Sequence, residues 1–104
     1  MKLEQLTMFQ SVAELGSLSK ASTRLHKTQP AISQSIKQLE TTLGVTLFNR
    51  SAYRLTLTDE GKVLYQQTLR VLDEANSLRN IAHNIASGNE TSITLATEAT
   101  YDLK

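Results

Sequence analysis

Residues 16–50, GSLSKASTRLHKTQPAISQSIKQLETTLGVTLFNR, decide the fold of this 104-residue chain. Thr28 suits the N-cap of a helix in this stretch, because its hydroxyl accepts a hydrogen bond from a first-turn N–H. Gly44 stands where a left-handed C-cap would end that helix. Between these caps, apolar residues recur at the i, i+4, i+7 and i+11 positions: Ile32, Ile36, Leu39 and Leu43. The spacing therefore predicts a helix over 28–43.

A shorter helix precedes this one across a tight polar turn. Ser17 is its predicted N-cap, and the residues that face inward are Leu18, Ala21 and Leu25. The outer face of the second helix carries side chains that hydrogen-bond to base edges and phosphates: Gln29, Ser33, Gln34 and Lys37. Two interpretations fit this pattern equally, a helix-turn-helix DNA reader and an αα-hairpin of any helical domain, because periodicity reports burial and not the partner.

Charge is distributed unevenly along the chain. Residues 16–56 hold six basic side chains and one acidic side chain, whereas residues 57–104 hold four basic and seven acidic ones. Basic side chains that merely solvate helix faces are usually interleaved with acids. The basic excess around the two helices therefore favours a surface that faces phosphates.

Five runs of residues stand in order without insertions: GSLSKA at 16–21, TQPAIS at 28–33, LG at 43–44, LFNR at 47–50 and LTDEG at 57–61. Together they resemble the N-terminal domain of LysR-type transcriptional regulators, over roughly residues 1–88. The resemblance implies a mainly α fold, in which a winged helix-turn-helix of three helices and a two-stranded wing at 1–58 precedes a long dimerisation helix at 59–88. It also implies that the chain is a fragment, with 89–104 forming the hinge and first strand of a missing effector-binding domain.

The sequence fills in this architecture on both sides of the helix pair. An upstream apolar stripe predicts a first helix that supports the other two: Leu3, Leu6, Phe9, Val12 and Ala13. Downstream, two short strands are predicted at 46–49 and 54–57, with a wing tip at 50–53 between them.

We predict that helix 28–43 enters the major groove of duplex DNA. Contacts to base edges are expected from Gln29, Pro30, Ala31, Ser33 and Gln34. Contacts to phosphates are expected from Ser17, Lys20, Thr28 and Lys37, and the wing arginines Arg50 and Arg54 are expected to reach phosphates or the minor groove. Gln34 stands where the family frequently has arginine, and a glutamine suits the edge of adenine. The alternative for Arg50 is a salt bridge to Glu40 or a neighbouring acid, but the family resemblance at this arginine favours contact with the DNA backbone.

A long helix is predicted from the N-cap Thr58 to about residue 87, roughly 40 Å at 1.5 Å per residue. Large and small residues alternate along one seam of it: Leu64, Thr68, Val71, Ala75, Leu78, Ala82 and Ile85. A single helix can bury such a face inside its own domain, but this helix is longer than a small domain covers. We therefore expect a homodimer through residues 61–86, antiparallel as the resemblance implies.

No motif in the sequence indicates an enzyme. The chain has no cysteine, and its two histidines, His26 and His83, stand far apart without partners at ligand spacing. Phosphate loops and nucleophile elbows are absent from the sequence as well. We expect no metal or cofactor in these residues, and the resemblance places a small-molecule effector in the missing domain.

The expected partner is duplex DNA carrying an interrupted palindrome, bound by a homodimer that forms tetramers in the full-length protein, as the resemblance implies. No apolar run is long enough to span a bilayer, so we expect a cytoplasmic protein without membrane contact. The alternative is a winged helix that binds protein and never touches nucleic acid, because a fold alone does not fix function. The polar outer face of helix 28–43 disfavours that alternative.

Overall fold

The computed structural model describes residues 1–50 and 54–88 of the chain. The elements follow in the order α1 (Leu3–Leu15), α2 (Leu18–Leu25), α3 (Gln29–Leu43), β1 (Phe48–Arg50), β2 (Leu55–Leu57) and α4 (Asp59–Ala86). The strands pair antiparallel, with Phe48 opposite Leu57. This confirms the predicted order of three helices, a two-stranded wing and a long helix. The first strand lies one to two residues later than the predicted 46–49, so Arg50, predicted in the wing tip at 50–53, belongs to β1. The rest of that tip, 51–53, and the predicted hinge and strand at 89–104 lie outside the described residues.

The core lies where the first three helices meet the base of the wing. Phe9 is fully buried, and its ring meets the ring of Phe48 edge to face at a centroid distance of 5.6 Å and that of Tyr65 at 6.1 Å. Pairs in this geometry contribute about 0.5–1.5 kcal/mol each beyond the burial of their area. The other buried apolar side chains are Leu6, Met8, Val12, Ala21, Ile32, Ile36, Leu39 and Leu47.

The helix boundaries predicted from the sequence are confirmed by their capping contacts. Ser17 Oγ accepts from the Lys20 N–H at 3.2 Å, and Thr28 Oγ1 accepts from the Ala31 N–H at 3.2 Å. Gly44 ends α3 in the left-handed conformation with φ 75°. These caps fix where the two helices begin and where the second one ends.

Two features near these helices differ from expectation. Leu3 is 42% exposed, so its predicted place in the core is wrong; nine residues at 3.6 per turn put it on the opposite side of α1 from the buried Val12. His26 ends α2 with φ 57°, a left-handed conformation that no pattern in the sequence indicated. The Ser22 hydroxyl donates to the Lys27 carbonyl across this turn and helps to hold it.

The start of α4 is fastened to the segment before the wing. The Thr58 hydroxyl accepts from the Gly61 N–H at 2.8 Å and donates to the Thr46 carbonyl at 2.6 Å, while the Thr58 N–H donates to the Leu47 carbonyl at 3.0 Å. Gly61 is buried here, and a Cβ built on it would lie 2.2 Å from the Leu47 carbonyl oxygen. The absence of a side chain at Gly61 is therefore what lets α4 approach this backbone.

The chain divides into two compact units, Met1–Leu72 and Asp73–Lys104, and α4 runs through both. In the first unit, Thr68 is only 6% exposed, and Leu64 and Val71 pack against the core. Thr68 is thus buried in its own chain and Leu64 and Val71 are partly buried there, which leaves these three residues less surface for a second chain; the dimer seam itself stays a prediction. In the second unit, three large apolar side chains of α4 stay exposed: Leu78, Ile81 and Ile85.

We predict that Gly61→Ala destabilises the fold. Glycine to alanine in a helix normally gains about 0.5–1 kcal/mol of stability, but crowding a packed contact costs about 1–3 kcal/mol. At Gly61 the crowding should dominate, because the obstructing atom belongs to the backbone. Thermal unfolding followed by circular dichroism measures the change, with the neighbouring exposed Lys62→Ala as the control. A Gly61→Ala protein as stable as the wild type would contradict this account of the α4 contact.

Candidate nucleic-acid interface

The outer face of α3 is polar and open to solvent. Its buried side is made by Ile32, Ile36 and Leu39, which leaves the rest of the helix surface for contacts outside the fold. Of the residues predicted to touch base edges, Ser33 is half-buried and the others are exposed: Gln29, Pro30, Ala31 and Gln34. Lys37 is exposed on the same helix, one turn further along.

Two shallow grooves surround the start of α3. One is lined by Gln29, Pro30 and Ser33 of α3 together with Leu18 and Ser22 of α2. The other brings together three predicted contact residues from separate elements: Ser17, Gln29 and Arg54. The Ser17 cap, the beginning of α3 and the start of β2 therefore form one continuous surface. Thr28 adjoins it as the exposed N-cap of α3, and Lys20 is exposed on α2.

A third groove lies beside the middle of α3 and includes residues that the sequence analysis missed. Gln34 and Lys37 line it together with Lys2 and Gln5 from the start of α1. Gln5 is 9% exposed; its amide donates to Gln38 Oε1 at 3.3 Å, and its own Oε1 accepts from the Lys2 N–H at 3.0 Å. The signal available in the sequence was Gln5 itself, a polar residue inside the apolar stripe of α1 that needs a hydrogen-bond partner.

Acidic side chains of α1 form ion pairs with basic side chains of the segment 16–56. Arg24 forms an ion pair with Glu14 at 2.7 Å, and Lys27 forms one with Glu4 at 3.2 Å. The charge count along the sequence therefore overstated the basic excess, because it included only acids near in sequence. Exposed pairs of this kind add little stability, on the order of 0–1 kcal/mol, yet they do reduce the local positive charge.

Arg50 ends β1, and its guanidinium lies 3.8 Å from Glu40 Oε1. The alternative partner considered from the sequence is thus present. The Arg50 side chain is nevertheless 41% exposed, so it also remains accessible from outside the protein. Arg54 is exposed just before β2.

Glu14 also contacts α4. The Tyr65 hydroxyl donates to Glu14 Oε2 at 3.4 Å, while Glu14 Oε1 accepts from Arg24. Burial raises the pKa of Tyr65 above its ordinary value of 10.0, and the negative charge of Glu14 and its hydrogen bond raise it further. One carboxylate therefore connects α1, the last turn of α2 and the first half of α4.

Metal-ligand clusters and membrane-spanning helices are both lacking from the part of the chain that the structure describes. No three histidine, aspartate or glutamate side chains gather there as metal ligands. No helix among these residues is both long and apolar enough to cross a membrane. The grooves around α3 are open surface features suited to an extended partner.

Comparisons with known proteins agree with this architecture. Residues 3–62 match the family described as "Bacterial regulatory helix-turn-helix protein, lysR family". The chain is 44% identical over 92 residues to the HTH-type transcriptional regulator AceR of Acinetobacter baumannii, and 38% identical over 93 residues to the HTH-type transcriptional regulator CfxR of Cupriavidus necator. These alignments cover 88% and 89% of this chain, but 31% and 29% of the relatives, so the chain spans about a third of their length.

Solved structures show the same fold. The crystal structure of BenM_DBD in complex with the catB site 1 DNA has a TM-score of 0.80 at 34% identity, covering 85% of this chain and 95% of that one. The complex of CbnR_DBD with DNA has a TM-score of 0.78 at 35% identity, covering 83% and 99%.

The fold thus defines a winged helix-turn-helix protein. Within that class, the match over residues 3–62 and the similarity to AceR show that the chain belongs to the lysR family of bacterial regulatory helix-turn-helix proteins.

We predict that Tyr65 titrates at a higher pH than an ordinary tyrosine. Its raised pKa means that the folded state holds the phenol proton more tightly than the unfolded state. The stability from this group is therefore present below pH 10 and is lost as the pH rises through the folded pKa. Difference absorbance of the phenolate, wild type minus Tyr65→Phe, isolates this titration. Glu14→Gln should lower its midpoint, and an unchanged midpoint would contradict the contact.

Proposed function

We propose that this chain binds duplex DNA sequence-specifically as a homodimer and serves as the DNA-binding part of a transcriptional regulator. In this proposal α3 lies in the major groove, and the wing lies on the backbone or in the minor groove. One observation carries it: the exposed polar face of α3 is continuous with Ser17 of α2 and Arg54 of the wing, so a single surface spans all three elements.

The solved complexes support this assignment. BenM_DBD and CbnR_DBD are each bound to DNA, and both share the fold of this chain at 34% and 35% identity. The proposal includes a cytoplasmic location, because that is where a bacterial regulator meets chromosomal DNA. A small-molecule effector and a tetramer of the full-length protein stay predictions, because the 104 residues align with about a third of AceR.

The exposed residues of α3 suit the reading of bases. A glutamine amide forms two hydrogen bonds with the N6 and N7 edge of adenine, and Gln29 and Gln34 both present such an amide to solvent. Pro30 and Ala31 offer apolar surface to the methyl group of thymine. With glutamine at position 34, the surface therefore fits sites rich in A·T pairs better than the same surface with arginine at that position would.

The remaining predicted contacts suit the DNA backbone. Ser17 and Thr28 accept backbone N–H bonds within the protein, yet each hydroxyl keeps its own hydrogen to donate to a phosphate. Lys20, Lys37, Arg50 and Arg54 supply positive charge around α3. Such contacts set affinity and register, whereas base contacts set specificity.

The second half of α4 offers the dimer contact. Its exposed apolar residues, Leu78, Ile81 and Ile85, are spaced three and four residues apart, as on the seam of paired helices. Ala75 and Ala82 are small residues on the same side and would let a second helix approach closely. We add Ile81 to the proposed seam because it is exposed, whereas Leu64, Thr68 and Val71 are partly or fully buried in their own chain.

We predict that Gln34→Ala relaxes sequence preference at one base pair per half-site, at a cost of about 1–3 kcal/mol there. Selection from a random library of duplexes, performed with both proteins, measures this preference. The matched control is Lys37→Ala, which should weaken binding to all duplexes alike and reduce the salt dependence by about one phosphate contact.

Each outcome of that selection has a separate meaning. If the wild type enriches no sequence and its binding does not depend on salt, the proposed DNA-binding function is wrong. If Gln34→Ala enriches the same sequence as the wild type with equal sharpness, DNA binding stands but Gln34 is not a reading residue.

We predict that Leu78→Glu makes the protein monomeric, because a charge on the exposed apolar face cannot be buried without a partner. Sedimentation velocity at several protein concentrations measures the oligomeric state. The control is Asn80→Glu, which adds the same charge about 200° around the helix. A dimeric Leu78→Glu protein would show that the interface lies elsewhere.

A further inference from the structure

Glu40 uses its two carboxylate oxygens for two different elements. It stands in the last turn of α3, and its Oε2 accepts from the backbone N–H of Leu47 at 2.7 Å. Its Oε1 lies 3.8 Å from the nearer guanidinium nitrogen of Arg50 in β1. The hydrogen bond fixes the carboxylate, and the fixed carboxylate then faces the arginine.

The longer of these two distances matters for what Arg50 can do. At 3.8 Å the charges attract each other, but the separation exceeds that of a hydrogen bond. Glu40 therefore leaves the N–H donors of the guanidinium available, and the Arg50 side chain is 41% exposed while that of Glu40 is 16% exposed. Glu40 restrains the direction of the arginine without occupying the donors that a phosphate would need.

We propose that Glu40 is a positioning residue that aims Arg50 at a DNA phosphate in register with α3. This inference rests on the proposed DNA-binding function. An arginine side chain that is already restrained loses less conformational freedom when it binds, which strengthens the complex. Because Glu40 belongs to α3, the restraint keeps the Arg50 guanidinium at a set distance from the exposed polar face of that helix.

A purely structural role for Glu40 makes a different prediction. The bond to the Leu47 N–H holds the turn between α3 and the wing, and losing it would loosen that turn whether or not residue 50 is an arginine. Glu40→Gln separates the two roles. The amide oxygen can still accept from the Leu47 N–H, but the neutral side chain no longer attracts Arg50.

The test is a double-mutant cycle on the affinity for one duplex at fixed salt, using the wild type, Glu40→Gln, Arg50→Ala and the double variant. If Glu40 positions Arg50, Glu40→Gln should weaken binding about three-fold to ten-fold when Arg50 is present. In the Arg50→Ala background it should be neutral or slightly strengthening, because it then only removes an acid near phosphates. Glu74→Gln, an exposed acid on α4, controls for net charge.

If Glu40→Gln changes the affinity equally in both backgrounds, Glu40 does not position Arg50 and has only a structural role. A measurement without DNA complements the cycle: the ¹⁵N order parameter of Arg50 Nε should fall in Glu40→Gln and stay unchanged in Glu74→Gln. No fall in Glu40→Gln would overturn the positioning role even if DNA binding is normal. A wild-type protein that binds no duplex would instead overturn the proposed function.

If Glu40→Gln does not fold, Glu40→Asp takes its place in the same cycle. The shorter carboxylate keeps the charge but moves it away from Arg50, so a positioning role still predicts weaker binding only in the presence of that arginine. Thermal unfolding of each variant identifies the folded ones before affinities are compared.

Discussion

The peptide groups of Leu47 join three parts of the molecule at one point. The Leu47 N–H is held by Glu40 of α3, and its carbonyl accepts from the Thr58 N–H at the start of α4. The same carbonyl occupies the space that a side chain on Gly61 would need. Since the Leu47 side chain is also fully buried, the end of α3, the wing and the beginning of α4 share one anchored residue. The placement of the wing beside α3 depends on this anchor.

Electrostatics around the interface are set by the fold as much as by the sequence. Glu4 and Glu14 of α1 pair with Lys27 and Arg24, which lie in and next to the turn before α3. Glu40 faces Arg50 without a hydrogen bond. Of the basic side chains in residues 16–56, Arg24 and Lys27 are thus paired with acids of α1. The proposed DNA contact is made with those on the exposed face of α3 and at the wing.

Local signals predicted much of this structure. Caps at Ser17, Thr28 and Gly44 act over a few residues, so the sequence reveals them directly. Burial along α4 was less predictable: heptad spacing identified an apolar face, but burial against the same chain at Thr68 and exposure at Ile81 depend on where the core lies. The ion pairs from α1 join residues distant in sequence, so no local pattern reports them. Of the link from Gln5 to Gln38, the sequence shows only that a polar residue interrupts the apolar stripe of α1, and not which residue it contacts.

Amide chemical-shift changes on addition of duplex DNA show which face of the protein binds it. If the outer face of α3 binds DNA, the changes should concentrate on α3, on the caps at Ser17 and Thr28 and on the wing around Arg50. Amides near Leu78 and Ile85, assigned here to the dimer contact, should change little. Shifts confined to α4 that leave the outer face of α3 unchanged would contradict the claim that this face binds DNA.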